Sequence, residues 1–371
     1  MEKTTIAFVI HALGSGGAER VVSTLANELA DKYRVVIITY RKRKPFYPLS
    51  SEITLLHCEE GLLISQNFFQ SIRTNYRLVL KISRFLKQEN VKLSIGFMTS
   101  ANILAILASR LNNIPVIISE RNNPYLAKVP LFWKFMRRIT YSKASSLIVQ
   151  TAEVRNYFSK FLSNEKIVII NNPIAPGLTA GKDDEFLKEN IVLNVGRFIS
   201  GKAQDQLIKA FSAIKHQGWK LHLIGSGPKA QDYEQLIKSL NLQSSVELLP
   251  PTQNIELHYN KARIFAFTSL SEGYPNALIE AMHFGLPCIS TDCPTGPSEI
   301  IVNDNNGFLI PMNDQRALQE HLELLITDST VRSRLGEQAE KSVERFETKT
   351  IVKEWQDVIE NSLQRRQNDA I

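Results

Sequence analysis

The sequence predicts an α/β protein of two doubly wound, Rossmann-like domains in tandem, facing a central cleft. Three observations predict it. Short apolar, β-branched runs of four to eight residues alternate with helical stretches along the whole chain, the pattern of βαβ units and parallel sheets. That series is interrupted once, by a stretch rich in Pro, Gly and charge near the middle, and then repeats. A length of 371 residues also strains a single hydrophobic core; it suits two domains of roughly 150 to 200 residues each.

Taken in order, the first series of strands is expected at Thr5 to Leu13, Val35 to Tyr40, Leu93 to Phe97, Val116 to Ser119, Ser146 to Gln150 and Ile167 to Ile170, with helices in most intervals. After Asn171-Asn172-Pro173 the chain passes Pro176-Gly177 and Asp183-Asp184 before a new apolar strand opens at Ile191. The second series follows at Ile191 to Val195, Leu221 to Ile224, Val246 to Leu249, Ile264 to Phe267, Cys288 to Ser290 and Phe308 to Ile310. The tail from Thr330 to Leu363 reads as helical, with Trp355 and Ile359 four apart on one face. Residues 1–175 are therefore expected to form an N-terminal domain, 186–345 a C-terminal domain, and 346–371 a helix bracing both. In such folds ligands bind outside the carboxyl ends of the strands, so the turns after the strands carry the chemistry.

The composition, 43% hydrophobic and 22% charged, is that of a packed globular protein. Thr5 to Leu13 is short and runs into a glycine cluster, which reads as a buried strand and not a signal peptide. No run approaches the roughly 20 apolar residues of a membrane span, although the chain can still lie against a bilayer. Cys58, Cys288 and Cys293 lack the C-x2-C spacing of zinc sites and suit a reduced, cytoplasmic compartment as small buried side chains or surface thiols. Charge is uneven: residues 1–185 carry a net +11 and the remainder −4. The N-terminal half is thus expected to meet an anionic partner, a phosphorylated acceptor or an anionic membrane surface in preference to nucleic acid.

The stretch Ser269-Leu270-Ser271-Glu272-Gly273-Tyr274-Pro275-Asn276-Ala277-Leu278-Ile279-Glu280 follows a strand. Pro275 suits the first helical position, which puts Glu272 in the loop and Glu280 about 1.4 turns into the helix. The N–H groups of Asn276 and Ala277 then point out of the helix start as a phosphate site. Two carboxylates flanking such a site, each with two acceptor oxygens, fit the hydroxyls of a sugar (Glu272) and of a second polyol such as ribose (Glu280).

Earlier in this half, Asn194-Val195-Gly196-Arg197 closes a strand and Lys202 follows five residues on. A guanidinium fork and a mobile ammonium are the charges that neutralise a departing diphosphate. Gly225-Ser226-Gly227-Pro228 is a second tight strand-to-helix turn. In the first half Gly14-Ser15-Gly16-Gly17 joins a strand to a helix, where glycine lets backbone N–H groups approach a phosphate. It is a poor dinucleotide fingerprint, because the last glycine is misplaced and no acid ends the second strand at Thr39-Tyr40.

G-R-x4-K, then G-S-G-P after a strand, then E-x7-E, in this order and spacing, resembles glycosyltransferase family 4 over nearly the whole chain. The resemblance implies a GT-B fold, a nucleotide-sugar donor bound by the C-terminal domain, retention of anomeric configuration and no metal or other cofactor. The absence of a D-x-D sequence agrees with the last point. By the same resemblance Arg197 and Lys202 hold the diphosphate, Glu272 the donor sugar and Glu280 the ribose. Gly225 and Gly227 border the nucleotide beside Gly273, Pro275, Asn276 and Ala277, and Gly16 and Gly17 face donor diphosphate and acceptor. Arg197, Lys202 and Glu272 form the candidate catalytic set, the two cations lowering the barrier where charge builds on the leaving group.

Ser119-Glu120-Arg121-Asn122 ends another strand. Many relatives carry a His near here, whereas this chain has Arg121. The S-E-R-N form resembles members that build lipid-linked oligosaccharides for O-antigen, capsule, exopolysaccharide or N-glycans, which puts Glu120 and Arg121 on the acceptor side. Phe69 to Lys87 reads as an amphipathic helix with Arg73, Arg77, Lys81 and Arg84 in one basic stripe. Like charges so spaced call for an anionic partner, a lipid diphosphate or anionic headgroups. Leu131 to Arg138 mixes aromatics with cations as interfacial helices do, although core packing explains Trp133 and Phe135 equally well. The expected activity is transfer of an N-acetylhexosamine, or else a hexose, from a nucleotide-sugar to a polyprenyl-diphosphate-linked glycan at the inner face of the cytoplasmic membrane. The alternatives are a transferase acting on a small sugar or glycoside and a non-catalytic nucleotide-sugar-binding protein.

Overall fold

A computed structural model of the chain describes residues 3–60, 68–216 and 218–369, with the side chains of all but 68, 69 and 366–369. Phe69, which opens the expected basic helix, thus has its side chain outside the described residues. The chain divides into two compact units, one of Met1–Ala175 with Thr348–Ile371, the other of Pro176–Glu347.

The first unit holds seven parallel strands, β1 (Thr5–Ile10), β2 (Arg34–Arg41), β3 (Thr54–Glu59), β4 (Leu93–Phe97), β5 (Val116–Ser119), β6 (Ser146–Val149) and β7 (Ile167–Ile169), in the order β3-β2-β1-β4-β5-β6-β7. The order reverses beside β1, so β1 and β4 flank the switch point where such sheets bind ligands. Its helices are α1 (Gly17–Leu29), α2 (Phe68–Gln88), α3 (Thr99–Leu111), α4 (Leu131–Thr140) and α5 (Ala152–Phe158).

Alternation along the strands assigns the two faces. Ala7, Val9, Val36 and Ile38 pack against α2, α3 and α5, with Trp133 and Met136 of α4 at the margin. Ile6, Phe8, Ile10, Val35 and Ile37 face the other way and meet α1. Strands buried on both faces read as continuous apolar runs, which is why the sequence shows them plainly. The unforeseen strand is β3, an edge strand of sequence TLLHCE whose residues are mostly half-buried.

The second unit contains α6 (Pro176–Ala180), β8 (Ile191–Val195), α7 (Gln204–Ala213), β9 (Lys220–Ile224), α8 (Ala230–Ser239), β10 (Val246–Leu249), α9 (Glu256–Lys261) and β11 (Ile264–Phe267). It continues with α10 (Asn276–His283), β12 (Cys288–Thr291), α11 (Pro297–Ile300), β13 (Phe308–Ile310), α12 (Gln315–Thr327) and α13 (Ser329–Val343). The parallel order β10-β9-β8-β11-β12-β13 repeats the first scheme, with β8 and β11 at the switch point.

Two expected boundaries move. Residues 176–185 attach to the second unit, where the Asn260 amide donates to the Gly181 carbonyl at 2.8 Å and accepts from Asp183 N–H at 3.1 Å, while Lys182 pairs with Glu340. The terminal stretch is broken by a 3₁₀ turn at Glu344–Phe346 into α13 and α14 (Thr348–Asp369). The last helix, expected to brace both domains, instead places Ile351, Val352, Trp355 and Ile359 in the core of the first unit beside α1, Phe8 and Phe97. A helix is placed by where it buries its apolar stripe, and that stripe completes the sheet face α1 leaves bare.

Candidate active site

The turns after β8, β9, β11 and β12 meet at the switch point of the second sheet. After β8 the chain makes a tight course through Gly196 and Arg197 and a 3₁₀ turn at Ser200–Lys202, ended by Ala203 in the left-handed region at φ 48°. A non-glycine residue held there costs free energy that the surroundings must offset. The offset is visible. Thr268 donates to the Lys202 carbonyl at 2.9 Å, Leu270 N–H to the Gly201 carbonyl at 2.8 Å, and the buried Gln204 amide to the Arg197 carbonyl at 3.2 Å. Tyr233 in turn fixes Gln204 through a 2.9 Å bond.

These contacts place the Lys202 ammonium over the Phe267 ring, 5.6 Å from its centroid, and in an ion pair with the Glu272 carboxylate. Arg197, expected beside Lys202, has an exposed side chain on the same turn. Glu272 is held through its backbone, its N–H donating to the Pro294 carbonyl at 2.9 Å while the Thr295 hydroxyl lies 3.2 Å from the carbonyls of Glu272 and Gly273. Burial, with Glu272 nearby, pushes the neighbouring Cys293 thiol up to about 12, so it is a neutral wall of the site.

Gly225 and Gly227 have a backbone reason to be glycine. A β-carbon on Gly225 would lie 1.9 Å from the Gly196 carbonyl oxygen, and one on Gly227, at φ 154°, 2.3 Å from the Phe198 carbonyl oxygen. The G-S-G turn is thus packed directly on the Gly196-Arg197-Phe198 turn and sets where Arg197 emerges.

At α10 the structure corrects two expectations. Pro275 is the cap and not the first helical residue, since its carbonyl accepts from Leu278 and Ile279 at 3.1 and 3.2 Å. The Asn276 N–H, expected to face a phosphate, donates to the Tyr274 carbonyl at 3.0 Å; among the described residues no backbone carbonyl accepts from Ala277. Glu280 does lie one turn in, yet it is only 4% exposed, and Tyr259 of α9 donates to its Oε2 at 3.0 Å. Tyr259, stacked on Phe284 at 5.2 Å, belongs to no motif and its role could not be read from the sequence.

In the first unit the glycine loop after β1 is roofed by the segment after β2, where Phe46 N–H donates to the Leu13 carbonyl at 3.1 Å and Tyr47 hydroxyl to the Ser15 carbonyl at 3.2 Å. Gly16 sits so close to the first turn of α1 that a β-carbon would fall 2.3 Å from Glu19 Oε2. The Glu19 carboxylate thus lies beside the positive helix start that Gly16 and Gly17 were expected to offer a ligand.

Glu120 and Arg121 follow β5. Glu120 is 2% exposed and takes hydrogen bonds from Thr99, at 2.9 and 3.1 Å, and from Tyr141. Burial raises its pKa, opposed by the Tyr141 bond, the charge of Arg137 and the Thr99 bond. Its carboxylate is thus corrected from an acceptor contact to a buried group that positions the turn, whose carbonyl also accepts from Gln150 at 2.7 Å. Arg121 donates to Asn172 and lies 5.0 Å from the Phe97 ring and 5.7 Å from that of Trp355. The basic stripe on α2 is also partly answered from within: Glu59 of β3 lies 3.9 Å from Arg77 and 3.2 Å from Lys81, which further reaches the Cys58 carbonyl. Arg73 and Arg84 stay exposed.

Comparison with known proteins agrees with this organisation. The family described as Glycosyltransferase Family 4 matches residues 15–177, and that described as Glycosyl transferases group 1 matches 180–342. An N-acetyl-D-galactosaminyltransferase of Campylobacter jejuni, named for α-1,4 transfer to a GalNAc-GalNAc-diNAcBac-PP-undecaprenol, is 30% identical over 353 residues, covering 94% of this chain and 96% of the relative. The amylovoran biosynthesis glycosyltransferase AmsD of Erwinia amylovora is 27% identical, covering 93% and 96%. Among solved structures, Alr3699/HepE of Anabaena in complex with UDP and glucose superposes with a TM-score of 0.78 at 17% identity, over 96% of this chain and 100% of that one. Two parallel sheets, of order 3-2-1-4-5-6-7 and 3-2-1-4-5-6, a cationic turn facing a carboxylate at the switch point, and this kinship along the whole length establish that the chain belongs to glycosyltransferase family 4, with the GT-B fold.

Proposed function

We propose that the chain transfers an N-acetylhexosamine from a UDP-sugar to a polyprenyl-diphosphate-linked glycan during surface polysaccharide or glycan assembly, with retention and without a metal ion, at the inner face of the cytoplasmic membrane. The observation that carries the donor side is the Lys202–Glu272 ion pair at the carboxyl ends of β8 and β11. A cation and a carboxylate set side by side are matched to a ligand bearing both anionic and hydroxyl groups. The diphosphate takes the ammonium and the sugar hydroxyls donate to the carboxylate, so each group exchanges one hydrogen-bonding partner for another.

In the reaction the bond between the anomeric carbon and the diphosphate oxygen breaks, and an acceptor hydroxyl forms the new bond on the same face. Its proton passes to the departing diphosphate. Lys202 and Arg197 counter the charge that grows on that leaving group, and once drawn to the bound diphosphate they need little further movement at the moment of transfer. Glu280, steadied by Tyr259, accepts from the ribose. The acceptor class is supported by two relatives named as N-acetylgalactosaminyltransferases on diphospho-undecaprenol glycans, and the uridine nucleotide by the UDP bound to the Anabaena protein.

The test is a panel of nucleotide-sugars scored by thermal stabilisation, followed by transfer to short-chain polyprenyl-diphosphate glycans with the product anomer assigned by NMR. A UDP-N-acetylhexosamine is expected to give the largest shift and an α-linked product. Stabilisation by none of the nucleotide-sugars, or an inverted product, would overturn the reading.

A further inference from the structure

The first unit exposes two apolar rows that its core does not use. On α4, Leu131, Phe135 and Ile139 recur at i, i+4 and i+8 and point outward, Leu131 being 82% and Phe135 63% exposed, while Trp133 and Met136 of the same helix turn into the core. The preceding loop adds Tyr125 and Leu126, both exposed. On α2, Ile72, Tyr76 and Leu80 repeat the same spacing and are likewise exposed, beside the buried Leu78, Val79, Ile82 and Leu86. Single exposed apolar side chains need no explanation, but two rows on neighbouring helices do. The helices are neighbours because α3 packs against both and all three cover one face of the sheet.

The charge on this face is one-sided. From residue 61 to residue 152 the sequence has thirteen Lys and Arg and only two acids, Glu89 and Glu120. Neither acid offsets the face: Glu89 pairs with Arg34 at 2.5 Å and Glu120 is buried. Lys128, Lys134 and Arg138 therefore border the α4 row, and Arg73, Arg77 and Arg84 the α2 row; among the described residues Glu59 lies beside the α2 row and Glu153 close to Tyr125.

We infer that this face docks on an anionic lipid bilayer, the α4 row with Leu126 entering the acyl boundary and the cations bordering it meeting lipid phosphates. The inference rests on the proposed lipid-linked acceptor and names the surface that would bring the enzyme to it. Apolar side chains flanked by Lys and Arg in excess over acids fit an interface that is hydrocarbon a few ångströms below a layer of negative charge. A second copy of the chain is a poor occupant, since apposed faces would set Lys134 and Arg138 against like charges. Topology gives the docking its use. In a parallel sheet the helix after each strand starts at the strand's carboxyl end, so Leu131 and Phe135 of α4, and Ile72 and Tyr76 of α2, lie toward the edge that carries Arg121 and the glycine loop after β1. A bilayer held there presents diphosphate headgroups to that edge.

The test is sedimentation of the full chain with vesicles of phosphatidylglycerol and phosphatidylethanolamine, against vesicles of phosphatidylcholine alone. Wild type should pellet at least tenfold better with the anionic vesicles. The double variant Leu131→Ser/Phe135→Ser should lose at least fivefold of that binding at unchanged Tm, whereas Lys134→Ala/Arg138→Ala should weaken it and flatten its salt dependence. Transfer to a detergent-free short-chain acceptor should be the same for wild type and the serine variant, while transfer to a long-chain acceptor in vesicles should fall. Vesicle binding by the serine variant equal to wild type would overturn the inference, as would concentration-dependent dimers of wild type that the variant abolishes. Vesicle binding without transfer to any diphosphate-linked acceptor would sink the acceptor reading and leave the docking; transfer to the short-chain acceptor without vesicle binding would do the reverse.

Discussion

Lys202 and Glu272, 70 residues apart, form one ion pair at the point where the order of the second sheet reverses. Because both side chains are largely enclosed, removing either leaves the other without its partner. Lys202→Ala should lower kcat by about 10²- to 10³-fold, the range for deleting one preorganised charge-stabilising donor, with Tm moving by only a few degrees. Radiolabelled transfer and thermal unfolding, run side by side, check this. Undiminished kcat would remove Lys202 from the diphosphate.

Tyr259 holds the Glu280 carboxylate, to which the proposed function gives the ribose. Tyr259→Phe removes one hydroxyl bond from a buried carboxylate, a loss of about 1 to 3 kcal/mol, and should weaken binding of the free nucleoside diphosphate by calorimetry while kcat at saturating donor stays near wild type. A drop in kcat with unchanged affinity would contradict a binding role.

Gly225 and Gly201 form a matched pair for the backbone argument. Gly225→Ala drives a methyl against the Gly196 carbonyl and should destabilise by more than about 2 kcal/mol, as overpacking against rigid backbone does. Gly201→Ala meets nothing within 4 Å and should change Tm little. Equal denaturant midpoints for the two variants would show that the turns are not in contact.

The raised pKa of Glu120 has a definite sign. A carboxyl whose folded pKa lies above its unfolded value favours folding when protonated, and that contribution is lost as pH rises through the folded pKa. Glu120→Gln keeps a neutral side chain, so its stability relative to wild type should improve as pH climbs from below 4.5 through the folded pKa. Chemical denaturation at a series of pH values reads the difference; a difference that fell with rising pH would mean that Tyr141, Thr99 and Arg137 outweigh burial.

Trp355 ties the last helix to Arg121, stacked on Phe97 at 5.6 Å with the guanidinium above both rings. Trp355→Ala should cost about 3 to 5 kcal/mol, seen as a lower unfolding midpoint. A conservative Trp355→Phe should recover most of the stability while raising KM for the acceptor more than for the donor. Equal effects on the two KM values would deny it a part in placing Arg121.

Twelve of the thirteen strands among the described residues were legible because a strand buried on both faces must be apolar throughout, and such runs stand out between helices. β3 escaped for the converse reason: at the edge, half-buried, Thr54–Glu59 is too polar to be distinguished from a loop. The turns after β5, β8, β9 and β11 were found through local chemistry, since glycines, prolines and charges directly after an apolar run mark the carboxyl edge of a parallel sheet.

Which of those residues touch was a separate matter. That Lys202 faces Glu272, that Tyr259 lies under Glu280, and that Glu59 answers Arg77 and Lys81 depend on sheet order, which brings together residues 70, 21 and about 20 positions apart. Burial was equally out of reach: Glu120 and Arg121 are adjacent in sequence, yet one is sealed by Thr99 and Tyr141 while the other lies across Phe97 and Trp355. Periodicity along a chain is set by each element's own geometry and is written locally. Contact and exposure are set by what the neighbouring elements cover, and so α14 went to the first unit and the outer rows of α2 and α4 stayed open.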